Sequence, residues 1–219
     1  MSLDKLLAGI TDASVPLLTY YDISTGERVE LSGTTTANWV AKTSNFLVDD
    51  LDADSSSRIR IGIPTHWLRF VWILSAWNVG AAIVDSAADI GLSGPELEGD
   101  ERHRVAASLR PLGGRFISEP EGFLDLGAEV PGHGDHFFAS DPPTEAAVAL
   151  DFGGVSRTHA QLLATPSDSR RVLVEPGTVE RDAQLIVAAC LGGGSLVVVT
   201  SATPADLTRV AQQESAQIT

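Results

Sequence analysis

The stretch RIRIGIPTHWLRFVWILSAWNVGAAIVD, residues 58–85, decides the fold. Its first part, RIRIGI (58–63), alternates Arg with Ile, the period of a strand. Pro64 and Thr65 open a helix, Trp67, Phe70, Val71, Leu74 and Trp77 mark its buried face, and Gly80 ends it. AAIVD (81–85) is a short, fully apolar strand. Strand, helix and strand in about 28 residues form a βαβ unit, whose crossover makes the two strands parallel. The second strand is apolar on both faces, which predicts a parallel sheet covered on both sides. Trp67, Trp72 and Trp77 recur every five residues. At roughly 100° per residue, successive Trp side chains are displaced by about 140°, so they face different layers. Two readings remain open: a helix buried between sheet and neighbour, or a surface for a second copy or a partner, where Trp is enriched.

Working outward, PLLTYYDISTGERVEL (16–31) reads as two strands around a Thr25-Gly26 turn. Ser32 is an N-cap, and Ala37, Val40, Ala41, Ser44, Leu47, Val48 and Leu51 follow at helical spacing. DLDADSSSR (50–58) is a polar loop. DIGLSGPE (89–96) and VAASLRPL (105–112) predict two more strands, with a short charged helix between them. Residues 113–145, rich in Gly, Pro and acids, form a long irregular connection. Beyond it come a strand at 147–151, a helix at 157–164, a strand at 170–175, a helix at 181–191, a strand at 195–200 and a helix at 204–214. This alternation predicts an α/β layered fold, a mostly parallel sheet with flanking helices. It divides into a first α/β subdomain (1–112), the connection (113–145) and a second α/β segment packing on the first (146–219).

The 219 residues are 43% hydrophobic and 20% charged, ordinary for a globular protein with a sizeable core. The formal net charge of −14, with no Lys/Arg cluster, argues against nucleic acid and anionic membrane surfaces as partners. MSLDKLLAGI carries an acid and only a short apolar stretch, so it does not read as a signal peptide. FVWILSAWNVGAAIVD (70–85) is too short to span a bilayer and is interrupted by Asn78 and Gly80. The one cysteine, Cys190 in LIVAAC, reads as a buried reduced thiol, which fits a cytoplasmic location.

YYDISTGERVELSGTTTANWVAKTSNFL, followed by residues 58–85, resembles the start of the AMP-binding, adenylate-forming superfamily, which includes the acyl-CoA synthetases. SRRVLVEPGTVERDAQLIVAACLGGGSLVVVTSATPADLTRVAQQESAQIT is also similar to it. The resemblance reaches only the first portion of that protein type, as in a family of short actinobacterial proteins. It implies that superfamily's α/β frame. In full-length members a Ser/Thr/Gly loop ending in Pro-Lys holds the ATP phosphates, between an apolar strand and a Gly-Val-x-x-x-His helix. Here AVALDFGGVSRTHAQLLA (147–164) keeps those flanks, with Gly154, Val155 and His159, but only Phe152 and Gly153 stand between them. Asp151 places an acid where phosphates would lie. The adenine- and Mg²⁺-binding motif, the ribose-binding Asp and the domain bearing the catalytic lysine lie downstream of this region in full-length members. The resemblance therefore implies the fold and argues against the reaction, so ATP and AMP are not expected as cofactors.

The candidate ligand-binding residues are Asp151, Gly153, Gly154, Ser156, Thr158 and His159, where helix N–H groups could face an anion. No catalytic residue is assigned. Ser156 lies near His159, but the Gly-x-Ser-x-Gly elbow of a serine hydrolase is lacking, and capping or packing is the simpler role for His159. His133, Asp135 and His136 in HGDH form a weak metal candidate on a flexible loop. LGGGS (191–195) follows a helix and precedes a strand, the reverse of a phosphate loop, and reads as a helix C-cap. Arg58 and Arg60 read as a solvated strand face or ion pairs. Two functions follow as expectations. One is a non-catalytic binding or regulatory protein, homo-oligomeric or with a protein partner that covers the sheet edges. The other is a residual nucleotide or acyl pocket near Asp151–His159, alone or completed by a partner chain.

Overall fold

A computed structural model describes residues 2–10 and 12–218. The elements run β1 (Pro16–Asp22), β2 (Glu27–Ser32), α1 (Gly33–Asp49), β3 (Arg58–Ile61), α2 (Trp67–Val79), β4 (Ala82–Val84), β5 (Ile90–Ser93) and β6 (His103–Ala106). They continue with β7 (Leu124–Asp125), α3 (Leu126–Glu129), β8 (Val148–Phe152), β9 (Val155–Thr158), α4 (His159–Leu163), β10 (Arg171–Val174) and α5 (Val179–Gly192). The chain closes with β11 (Ser195–Thr200), α6 (Pro204–Glu214) and β12 (Gln217–Ile218).

Two sheets result. The first has the order β12-β10-β11-β1-β2, the second β7-β6-β5-β3-β4-β8-β9. Each is parallel except for one edge strand, β2 or β9, added by a hairpin. The first sheet joins residues 16–32 to residues 171–218, so both sides of the 113–145 connection contribute to it. The 58–85 unit forms as the sequence predicts: β3 and β4 pair in parallel, Ile59 beside Ile83, with α2 between them. Sequence and structure part company at several places. The strand predicted at 105–112 ends at Ala106, where β6 gives way to a loop and a tight turn at 111–113. Residues 94–102 form turns rather than a charged helix. Residues 155–158 are a strand, so the helix predicted at 157–164 begins only at His159.

α2 is the centre of the molecule. Twelve of its 13 residues are buried, and Arg69 is its one charged residue. It packs on β1 in the first sheet, on β3 and β4 in the second, and on α1 and α5 beside it. Trp67, Trp72 and Trp77 are therefore all covered by their own chain, at 1%, 0% and 0% exposure. That resolves the five-residue spacing: a helix clamped between layers has no outward face, and the partner-surface reading of these Trp residues does not apply. Trp77 Nε1 donates to the Ala149 carbonyl on β8 at 3.0 Å, and Trp67 meets Trp39 of α1 edge to face. α6 covers the other side of the first sheet, Leu207 and Val210 resting on Leu173, Val197 and Val199.

The outward side of the second sheet carries charge instead. The register sets Gly91, Arg60, Val84 and Asp151 side by side, with Arg58 two residues along β3 on the same face. Arg58 pairs with Asp151 at 3.2 Å and Arg60 with Glu101, so both strand arginines are in ion pairs. The LGGGS stretch ends α5 with Gly193 in the left-handed conformation, φ 71°, as a helix C-cap requires. Cys190 is buried, and desolvation pushes its thiol up to about 12. No helix among the described residues is long and apolar enough to cross a membrane.

The charge on α2 has one carboxylate partner. Arg69 Nη1 meets Asp182 of α5 at 2.7 Å and also donates to Thr65 Oγ1 and the Gly177 carbonyl. Its Nε and Nη2 donate to the Ile63 carbonyl. Both partners are buried, so removing either leaves an uncompensated charge in the interior. Arg69→Ala and Asp182→Ala should each cost about 3–5 kcal/mol in urea unfolding followed by Trp fluorescence. Replacing both together, as R69M/D182L, should cost much less than the sum. Additive losses would contradict the lock.

Candidate functional site

The residues singled out at 151–159 lie on one hairpin and the turn that follows it. β8 and β9 pair antiparallel, Phe152 opposite Val155 and Asp151 opposite Ser156. Gly153 and Gly154 close the strands with φ of 58° and 77°; a tight two-residue turn needs positive φ at both positions, which glycine adopts without strain. The Gly153 N–H donates to Asp85 Oδ2 at 2.7 Å, and this bond holds the Asp85 carboxyl below the usual carboxylate range. Ser156 is exposed. Thr158 caps α4 in a reciprocal box with Gln161.

His159 is fully buried. Its Nδ1 accepts the Leu3 N–H at 3.2 Å, so the ring proton sits on Nε2, which has no hydrogen-bond partner among the described residues. Burial lowers its pKa. The imidazole thus faces the N-terminal turn while Ser156 faces solvent. The HGDH residues separate as well. His133 folds back on α1, with Nε2 at 3.2 Å from Asp50, while His136 stays 87% exposed beside Asp135. Among the described residues, no group of three or more His, Cys, Asp or Glu side chains could hold a metal ion.

The topology gathers other residues. β3 has β4 on one side and β5 on the other, so the chain order switches at β3. In parallel sheets, ligands settle outside the carboxyl ends of strands at such a point. The carboxyl end of β3 leads to Pro64, Thr65 and His66, and the ends of β1, β10 and β11 bring Asp22, Pro176 and Thr200–Ser201 to the same place. Together with Tyr20 and Leu109 these residues line a pocket of about 300 Å³, at the lower end of ligand-site volumes. Two of them are backbone outliers: Ser201 and Leu109 hold φ of 56° and 54°.

The groups in this pocket are fixed by their neighbours. His66 caps α2, its Nδ1 accepting the Leu68 N–H at 3.2 Å, so Nε2 carries the proton; that atom is buried without a partner among the described residues. Tyr20 meets the His66 ring edge-on, with centroids 4.6 Å apart. Thr200 Oγ1 donates to the Tyr21 carbonyl, so the Tyr20 hydroxyl is the donor in its 3.2 Å bond with Thr200. Desolvation raises the Tyr20 hydroxyl to about 12. Burial disfavours the Asp22 carboxylate, but hydrogen bonds from Ser24, Ser201 and Thr25 outweigh it and hold the group below its ordinary range. Sequence reading missed this site because its residues come from four separate strand ends. The local signal was Pro64-Thr65-His66 at a strand-to-helix junction; the positive φ values of Ser201 and Leu109 leave no trace in residue type.

His66 also sets a pH dependence. Desolvation lowers its pKa from 6.5 to about 4, more than the charge of Asp22 raises it. Between these values the unfolded chain binds the proton and the folded one does not, so this stability is present above about pH 6.5 and is lost as pH falls towards 4. His66→Gln should flatten the urea stability of the protein across that window. An unchanged slope would show that His66 is solvated in the folded state.

The comparisons with known proteins agree with this architecture. No protein-family model matches the chain. An acyl-CoA synthetase from Brucella canis superposes with a TM-score of 0.78 at 15% identity, over 100% of this chain and 47% of that one. The acetoacetyl-CoA synthetase of Streptomyces lividans gives 0.76 at 15%, over 99% of this chain and 41% of that one. The N-terminal domain of FACL13 from Mycobacterium tuberculosis gives 0.73 at 12%, over 99% of this chain and 61% of that one. At these identities the likeness shows the fold alone, that of the N-terminal domain of adenylate-forming enzymes. The chain spans about half the length of the solved proteins it matches. A TIGR03089 family protein of Mycobacterium tuberculosis is 34% identical over 225 residues, which cover 94% of this chain and 91% of that protein. The layered frame, and this relative along almost its whole length, establish that the chain belongs to the TIGR03089 family.

Proposed function

We propose that this protein uses the acyl-CoA synthetase-like frame to bind a ligand or a partner and does not activate carboxylates with ATP. The observation that carries this is the closed Gly153–Gly154 hairpin, at the position where the superfamily resemblance places a phosphate-holding loop. A two-residue turn offers few free amides, and the Gly153 N–H is already given to Asp85. Asp85 is bonded to the turn and Asp151 lies beside it, paired with Arg58, so the carboxylates nearest the turn would face a triphosphate. Adenylation needs groups that stabilise charge developing on the phosphates, and this arrangement opposes that charge. A cytoplasmic location fits this reading and the buried free thiol of Cys190.

A second reading keeps a nucleotide or acyl pocket at residues 151–159. One feature favours it: no atom lies within 4 Å of where a Cβ would stand at Gly153 or Gly154, so a ligand has room to approach the turn. Calorimetry with ATP, AMP and an acyl-CoA separates the two, and the binding reading predicts no saturable heat from any of them. ATP–pyrophosphate exchange with a panel of short, long-chain and amino-acid carboxylates should stay at background. Exchange that depends on any one carboxylate would overturn the proposal.

A further inference from the structure

From the charge gathered around a second cavity, we infer that the pocket between the ends of α1 and α2 takes a small monocationic amine with an apolar body. This cavity shares no residue with the 153–154 hairpin or with the pocket at the strand ends, so the inference goes beyond the proposed function. It holds about 250 Å³, just below the roughly 300 Å³ at which drug-sized sites begin, which limits a ligand to about one ring or a short chain. Val48, Ala53, Val79 and Phe137 give it apolar walls. Phe138 also lines it and is 91% exposed, so it gains from any apolar surface that covers it.

The surroundings are negative. Val48 and Val79 come from the last turns of α1 and α2, so two helix C-termini meet at the cavity, each equivalent to about half a negative charge. Neither last turn carries a basic residue that would offset it. Asp54 and Asp141 add two carboxylates to the lining, and no Lys, Arg or His joins them. The hydroxyl and N–H of Ser56 hold the Asp54 carboxyl below its ordinary range, and Ser55 Oγ donates to Asp141 at 3.5 Å. These donors are neutral, and among the described residues neither carboxylate has a cationic partner. His133 goes to Asp49 and Asp50 instead and does not line the cavity.

Three ligand chemistries can be compared against this site. A carboxylate or phosphate would meet both carboxylates and both helix ends with no cation to offset them. A bare ammonium answers the charge, but exposed carboxylates alone hold it weakly and the apolar walls stay wet. An amine on an apolar body satisfies both: the ammonium pairs with Asp54 or Asp141, and the body covers Val48, Val79 and Phe137. Phe138 adds an aromatic ring, whose face attracts cations.

The test is an NMR titration of the full chain, reading the backbone amides of residues 137–141. 2-Phenylethylamine, protonated at neutral pH, is the probe. 2-Phenylethanol, phenylacetate and methylammonium are the comparisons, which in turn remove its charge, reverse it and remove its body. The amine should give a saturable shift, with 2-phenylethanol about fivefold weaker, the factor an exposed ion pair supplies, and the other two weaker still or without saturation. Asp141→Asn, at an exposed loop position, should weaken the amine by about threefold or more and leave 2-phenylethanol unchanged. Phe138→Ser changes a side chain already in water, so it keeps the fold, and it should weaken both. Equal or tighter saturation by any of the three comparisons would overturn the inference. So would no saturable shift with the amine, or amine binding undiminished in either folded variant. Pyrophosphate exchange is read separately: activity there would remove the non-adenylating reading and leave this ligand preference standing.

Discussion

The structure depends on one constraint, that α2 is apolar on every side. A helix with no polar face must be covered all round, and a single sheet covers only one side. The chain meets this by building two sheets and closing the helix between them. Trp67, Trp72 and Trp77 point in different directions because there is a layer in each direction. The single charge on the helix is then forced into the interior, where Asp182 on α5 and the carbonyls of Ile63 and Gly177 surround it. The Arg69–Asp182 pair ties the starts of α2 and α5 together at the carboxyl edge of the sheets.

That clamp also explains the pocket. Holding β3 of one sheet against β1, β10 and β11 of the other brings four strand ends to one place. At three of these ends a residue is already bound: Asp22 by Ser24, Thr65 by Arg69 and the Gly177 N–H, and Ser201 by Asp22. Ser201 holds its positive φ directly after β11, and Leu109 holds its own between β6 and the turn at 111–113. The hairpin at 153–154 lies at the end of β8, on the other side of β4 from β3. A short turn and an ion pair stand there.

Much of the fold was legible in the sequence. Hydrophobic period exposed the 58–85 unit, Ser32 announced α1, and the glycines of LGGGS announced the end of α5. The 147–164 stretch was legible only in part. Val155 to Thr158 form a strand because Gly153 and Gly154 allow the chain to reverse, and a two-residue turn is easily taken for the start of a helix when a Thr-x-x-Gln cap follows so closely. The site residues were the least visible. His66, Tyr20, Asp22 and Ser201 are far apart in sequence, and tertiary topology alone unites them. His159 was visible as a candidate, but its role follows from burial under Leu3, which no local pattern encodes.

The central claim is that a closed, paired hairpin stands where the superfamily resemblance places a phosphate loop. Hydrogen–deuterium exchange over residues 148–158, with and without MgATP, tests it most directly. The account predicts slow exchange of the ladder amides of β8 and β9 in the free protein, and no change on adding MgATP. Fast exchange across this segment that becomes protected with MgATP would contradict it.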